Sequence, residues 1–189
     1  FTPAVASTLT AGSGVWSAGD TVYTKTYAVA DGTVEVAAVA VNAIGAKDAA
    51  GNTMTPNTTA DLFDIDTKNP TAVITSIDYD LYPLDHYAKT GTVVTFTATF
   101  SEVVKSSPVP QISISGINSL SNTNMAYTPS PTVYTYDYTV TLGDGIATVA
   151  MATAQDLAGN PVLSAPTSGS NFNVDNTPPT GTITIVITY

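Results

Sequence analysis

The residues that could do chemistry in this sequence are oxygen donors: Asp64, Asp66, Glu102, Asp156 and Asn160. Calcium takes roughly six to eight hard oxygen ligands, several of them carboxylates, in a flexible arrangement. Three or four acids, one Asn amide and nearby backbone carbonyls meet that demand once a fold brings them together. A weaker set with the same residue types is Asp48, Asn52 and Asp175. Charge balance favours the same chemistry. Asp and Glu total 15 against 5 Lys and Arg, for a net charge of -10. Carboxylates without matching cations repel one another, and a divalent ion neutralises them.

These acids belong to a recurring pattern. Asp156-Leu157-Ala158-Gly159-Asn160 has an earlier copy in Asp48-Ala49-Ala50-Gly51-Asn52, 108 residues upstream. Each copy follows a Val- and Ala-rich stretch and leads to a short apolar strand and an acidic, proline-closed segment. The first such segment runs from Asp64 to Thr71 and the second from Asp175 to Thr180, with Pro70 and Pro179 spaced 109 apart. Self-similarity at a fixed period marks a repeat architecture, and a unit of about 110 residues suits a β-sandwich. Asp-x-x-Gly-Asn is also ordinary turn chemistry, in which Asp forms an Asx-turn while Gly and Asn take left-handed conformations. Both readings stand at this point.

The elements that must position these residues are strands. In Thr92 to Phe100, Val94, Phe96, Ala98 and Phe100 share one face and threonines the other. In Val133 to Leu142, Tyr134, Tyr136, Tyr138, Val140 and Leu142 lie opposite Thr135, Asp137, Thr139 and Thr141. Alternation of period two marks strands with one buried face, and no helix-period pattern competes with it. The expected fold is all-β: tandem antiparallel sandwiches with about seven strands per repeat. Strands are expected at 72–79, 92–100, 110–115, near 124–128, 132–142, 146–153 and 170–175. Gly143-Asp144-Gly145 and Asp31-Gly32 have the composition of tight hairpin turns.

The expected organisation is one complete repeat at 71–180. Residues 1–70 form the C-terminal part of another repeat whose two leading strands are missing. Residues 181–189 are expected to be the first strand of a third. Thr21-Val22-Tyr23-Thr24 matches Thr132-Val133-Tyr134-Thr135, and Gly181 to Tyr189 aligns with Ala72 to Asp80. Consecutive antiparallel strands alternate direction, so the loop after strand 146–153 and the end of strand 92–100 lie at the pole facing the preceding repeat. Asp156, Asn160 and Glu102 should therefore meet the linker acids Asp64 and Asp66 at the junction of repeats one and two. Asp48 and Asn52 lack upstream partners, and Asp175 would serve the next junction.

Phe100-Ser101-Glu102-Val103, Gly143-Asp144-Gly145, Asp156-x-Ala158-Gly159-Asn160 and the Val-Asp-x-Thr-x-Pro junction together resemble the bacterial immunoglobulin-like repeats of large secreted and surface adhesins. The resemblance covers 71–180 and the C-terminal half of a copy in 1–70. The first junction departs from it, reading Asp66-Thr67-Lys68-Asn69-Pro70. What the resemblance implies is a sandwich, a tandem stalk, and often calcium at the junctions. An enzyme is not implied.

Composition excludes several classes. Five Lys and Arg cannot line a phosphate-binding groove or dock on anionic lipid. With no Cys there is neither a disulfide framework nor a thiolate metal site. No apolar run approaches the ~18 residues of a membrane span, so membrane insertion is not expected, and no signal peptide is visible. His86, the single histidine, reads as a loop residue, and no Gly-x-Ser-x-Gly motif is present. The expected role is a non-catalytic stalk, filament or surface-layer unit, extracellular or at the cell surface. Its partners would be neighbouring copies of the same repeat, with strand pairing through 181–189 as one route to self-assembly. Rival readings are a carbohydrate-binding or adhesive module, signalled by exposed aromatics, and an accessory domain of a secreted enzyme.

Overall fold

The computed structural model describes residues 1–5, 8–77 and 87–188. Strands, turns and loops make up these residues, with no helix among them, and no sheet closes into a barrel. The chain is all-β. It divides into two compact units, Phe1–Asn69 and Pro70–Tyr189.

The first unit contains β1 (Leu9–Ser17), β2 (Val22–Val29), β3 (Glu35–Ala43) and β4 (Asn57–Asp66). β1 pairs antiparallel with β2, and β3 with β4, as two separate two-stranded sheets. The β3–β4 ladder slips between Val36 and Val39 and again between Val39 and Val41. Its core is small: Val5, Val39 and Ile65 are buried, with Leu9, Val34, Val36 and Phe63 packed against them.

The second unit contains β5 (Ala72–Ile77), β6 (Tyr87–Ala88), β7 (Val93–Phe100), β8 (Gln111–Gly116), β9 (Leu120–Asn124), β10 (Ala126–Tyr127), β11 (Val133–Thr139), β12 (Gly145–Thr153) and β13 (Asn171–Val174). They form a four-stranded sheet in the order β10-β11-β7-β5 and a five-stranded sheet in the order β6-β13-β12-β8-β9. β7 buries Val94, Phe96, Ala98 and Phe100 and turns its threonines outward, which is the alternation its sequence predicts. Side chains from both sheets enter one cluster. Phe96 on β7 meets Phe172 on β13 with ring centroids 5.6 Å apart. Burying each of these phenyl groups contributes about 2 kcal/mol relative to leaving it in water.

Several details differ from the sequence expectations. Gly143-Asp144-Gly145 does not close a hairpin, because β11 and β12 lie in different sheets. The turn is an arch between sheets, made with Gly143 at φ +138° and Gly145 at φ +143°. Asp31-Gly32 likewise joins β2 to β3, which pair with other partners. Glycine composition marks a tight reversal but does not reveal whether the reversal stays within one sheet.

The strand expected near 124–128 is two strands. β9 pairs with β8 and β10 pairs with β11, with buried Met125 between them at the crossing point. The leading segment also contributes to both sheets, since β6 pairs in parallel with β13. Two residues carry too short a pattern to be seen as a strand in sequence. β11 stops at Thr139, so Leu142 lies beyond it and is 78% exposed instead of sharing the tyrosine face. His86 and residues 78–79 of the expected leading strand lie outside the described residues. No helix of the described residues is long and apolar enough to cross a membrane.

Candidate metal centre

The loop that follows β12 is built around one carboxylate. Asp156 Oδ1 accepts from Gly159 N at 2.6 Å and Asn160 N at 2.9 Å. Oδ2 accepts from Asn160 Nδ2 at 2.7 Å. Asp156 N in turn donates to Asn160 O at 3.1 Å, closing the turn. Gly159 has φ +106°, a conformation that a Cβ would strain. Three donors thus converge on a carboxylate that is 1% exposed. An anion can be buried at tolerable cost only when its lone pairs are met in this way.

The earlier copy repeats the bonds to its Asn and differs in one backbone donor, Ala50 N in place of the Gly at the next position. Asp48 Oδ1 accepts from Ala50 N at 3.0 Å and Asn52 N at 2.8 Å, and Oδ2 from Asn52 Nδ2 at 2.8 Å. Asp48 N donates to Asn52 O at 3.0 Å, and Gly51 has φ +90°. The two copies differ in cover. Val104 bridges to Asp156, and Lys105 N donates to Gln155 O at 2.7 Å, laying a chain segment along the second loop. Asp48 is exposed. The Asn52 amide and backbone hold its carboxyl below the usual aspartate range.

Within the second unit, Glu102 stands beside this loop, with carboxylate oxygens of Glu102 and Asp156 within 4.8 Å of each other. Two anions this close favour a cation between or beside them. Lys105 supplies a positive charge nearby, its Nζ lying 3.6 Å from where a Cβ on Gly159 would sit. The pole therefore carries two carboxylates, an Asn already bonded to one of them, and one ammonium. A divalent ion would have to share Asp156 with its turn.

The linker acids play identifiable local roles. Asp64 Oδ1 accepts from Ala38 N at 2.8 Å. Ala38 has φ +58° and lies in the β3 bulge, so Asp64 holds an irregularity in the β3–β4 ladder. Asp66 Oδ1 accepts from Lys68 N at 3.0 Å, and its repeat-equivalent Asp175 accepts from Thr177 N at 2.9 Å. Both are Asx-turns that launch the proline segments.

The residue after each of these acids was not singled out by sequence reasoning, yet it locks the preceding arch. Thr67 Oγ1 accepts from Val34 N at 3.0 Å, and Thr67 N donates to Val34 O at 2.8 Å. At the equivalent place, Asn176 Nδ2 donates to Gly143 O, and Asn176 N donates to Asp144 Oδ1. The available signal was a short hydrogen-bonding side chain after Asp in both copies.

A second buried polar residue was also missed. Asn118, 1% exposed, accepts from Tyr138 Oη at 3.1 Å and Thr141 N at 2.9 Å, tying the β8–β9 turn to the end of β11.

The 154–170 loop is laid along β5 by backbone bonds: Leu163 N to Pro70 O, Thr167 N to Ala72 O, and Ile74 N to Ser168 O. In the first unit, Trp16 and Tyr23 are 49% and 51% exposed, with ring centroids 5.0 Å apart. No family model, curated protein or solved structure matches the chain.

Proposed function

We propose that this chain is a non-catalytic structural segment of a secreted or cell-surface protein, built from immunoglobulin-like β-sandwich repeats. The observation that carries the reading is the hydrogen-bond match between the Asp48 and Asp156 loops, 108 residues apart. Two segments that share the bonds between an Asp carboxylate and the backbone and side-chain amides of the Asn four residues on, each followed by an Asx-turn and a proline, are units of an array. Strand order supports the sandwich. β5, β7, β11 and β10 share one sheet while β8, β12 and β13 share the other, the division of an immunoglobulin-type sandwich.

The role is mechanical. Each sandwich is a bead, and short proline-closed linkers limit the angle between beads. Neighbouring copies of the repeat are the partners. Calcium is the proposed stiffener, held within the second unit by Glu102, Asp156 and Asn160. What supports this is the Glu102–Asp156 separation and the net charge of -10.

Thermal melting of the whole chain in calcium and in chelator tests it. Calcium at ~100 times its Kd should add about 2.7 kcal/mol of stability, and Glu102→Gln should erase the difference. An identical midpoint in both buffers would remove calcium from the proposal and leave the repeat reading standing.

A second reading, a carbohydrate-binding module, draws on the exposed Trp16–Tyr23 pair. Tryptophan fluorescence titrated with soluble glycans decides it. Saturable quenching of Trp16 that Tyr23→Ala abolishes would favour that reading over a purely structural one.

A further inference from the structure

Where β10 pairs with the start of β11, the second unit has an open pocket of about 430 Å³. Tyr127 and Tyr134 are register partners on this ladder, with ring centroids 5.7 Å apart and planes at 71°. Tyr127 is 62% exposed, whereas Tyr134 is 2% exposed and also stands edge-on to Phe100. Thr128 Oγ1 donates to Val133 O at 2.7 Å and Val133 N to Ser130 O at 3.1 Å, which fixes the turn carrying Pro131. A second wall is the segment after β7. Val104 is buried there and bridges to Asp156, and Lys105 N donates to Gln155 O. The pocket is therefore preformed, and its volume falls within the ~300–1,000 Å³ of small-ligand sites.

The polar groups that reach this pocket are unspent. Tyr138 Oη donates to Asn118, but Tyr134 Oη bonds to no described residue. Among the described residues no fully buried side-chain oxygen lacks a partner. The Tyr134 hydroxyl, on a ring that is otherwise enclosed, thus reaches open space, and the pocket is the open space that Tyr134 lines. A tyrosine so deeply set ordinarily spends its hydroxyl on the protein. Ser106 and Ser107 also line the pocket, with hydroxyls bonded to no described residue, and Lys105 forms no ion pair among them. No Asp or Glu is among the lining residues.

A ligand here must lay an apolar face on Tyr127 and the 69%-exposed Leu157. It must also offer oxygens to an ammonium, a phenol and two serines. Serine hydroxyls both donate and accept, whereas a carboxylate only accepts, so the ligand carries hydroxyls as well as an anion. An acyl chain lacks that polar edge, and one ammonium is too few for a nucleic-acid backbone. We propose that this pocket binds an acidic saccharide, a pyranose ring bearing a carboxylate. Its C–H face stacks on Tyr127, its carboxylate pairs with Lys105, and its hydroxyls bond to Tyr134 and the two serines. The site belongs wholly to the second unit and depends on neither the repeat reading nor calcium.

The test is saturation-transfer NMR on the whole 189-residue chain, in chelator, with glucuronate as probe and glucose as its neutral counterpart. Glucuronate should bind saturably and about tenfold more tightly than glucose, the loss expected when a charge-assisted bond is absent. Lys105→Gln should bring the two sugars level, and Tyr127→Ala should abolish binding of both. Tyr134→Phe, which keeps the ring and its packing, should weaken both. A chain that does not bind glucuronate overturns the proposal, as does binding that Lys105→Gln and Tyr134→Phe leave unchanged. Benzoate binding as tightly as glucuronate overturns the saccharide class. Glucuronate binding lost in Tyr23→Ala but kept in Tyr127→Ala would assign the sugar to the first unit and overturn the proposal as well.

Discussion

Asn160 donates its side-chain amide to Asp156 Oδ2 over 2.7 Å, and Asn52 makes the same bond to Asp48 over 2.8 Å. The pair defines a loop whose shape depends on a carboxylate accepting from three donors. Environment then separates the twins, because Asp156 is buried and Asp48 is exposed.

Asp156→Ala removes the acceptor for two backbone amides and one side-chain amide. Hydrogen bonds to charged groups contribute about 1.5–3 kcal/mol each and are not additive, so a loss of about 3 kcal/mol is expected from denaturant unfolding of the chain. Asp48→Ala should cost less under the same conditions, since water replaces the lost acceptor.

The Asp48 carboxyl should titrate below the ordinary aspartate value of ~3.9, because Asn52 favours its charged form. A depressed folded-state pKa gives stability that is present above the unfolded value and is lost as pH falls through the folded one. Carboxyl chemical shifts followed by NMR check this. Asn52→Ala should move the midpoint upward, and an unmoved midpoint would contradict the assignment of cause.

At the alkaline end the sign reverses. Burial, with the neighbouring Tyr127 second, raises the Tyr134 phenol above its usual range. The folded protein therefore holds that proton longer than the unfolded chain does, and stability falls as pH rises past the unfolded value of ~10. Phenolate absorbance should show a late-titrating component that Tyr134→Phe deletes.

Tyr138→Phe strips the hydroxyl from buried Asn118 and is expected to cost about 1–2 kcal/mol. Asn118→Ala should cost more, because Thr141 N also loses its acceptor. A double-mutant cycle of the two should give a coupling of about 1 kcal/mol. Zero coupling would mean that the 3.1 Å contact contributes nothing.

The sequence was most informative where periodicity is physical. β7 is legible because a pleat alternates faces, and Phe96 and Phe100 fall on the buried one with Val94 and Ala98. The Asp loops were legible as turns because Gly51 and Gly159 occupy left-handed backbone positions few other residues adopt. Sheet membership was not legible. Nothing in Gly143-Asp144-Gly145 says that β11 and β12 separate, since that depends on which strands lie alongside from distant parts of the chain. Parallel pairing of Tyr87–Ala88 with Asn173–Val174 is hidden for the same reason. At the candidate site, residue types announced oxygen ligands, yet their turn duties for Asp156, Asp64 and Asp66 emerged only from where each backbone amide points.

The parallel pairing has a bearing on load. β6 and β13 run in the same direction, and Asp175 N extends their ladder by donating to Ala88 O at 2.9 Å. Tension drawn in ahead of β6 and out past β13 pulls the two strands in opposite directions along their length. Bonds arranged across such a shear plane must fail together, whereas a hairpin pulled at its open end unzips one rung at a time. If the second unit is stretched from its two ends, this two-residue strand is thus where backbone bonds are loaded in shear.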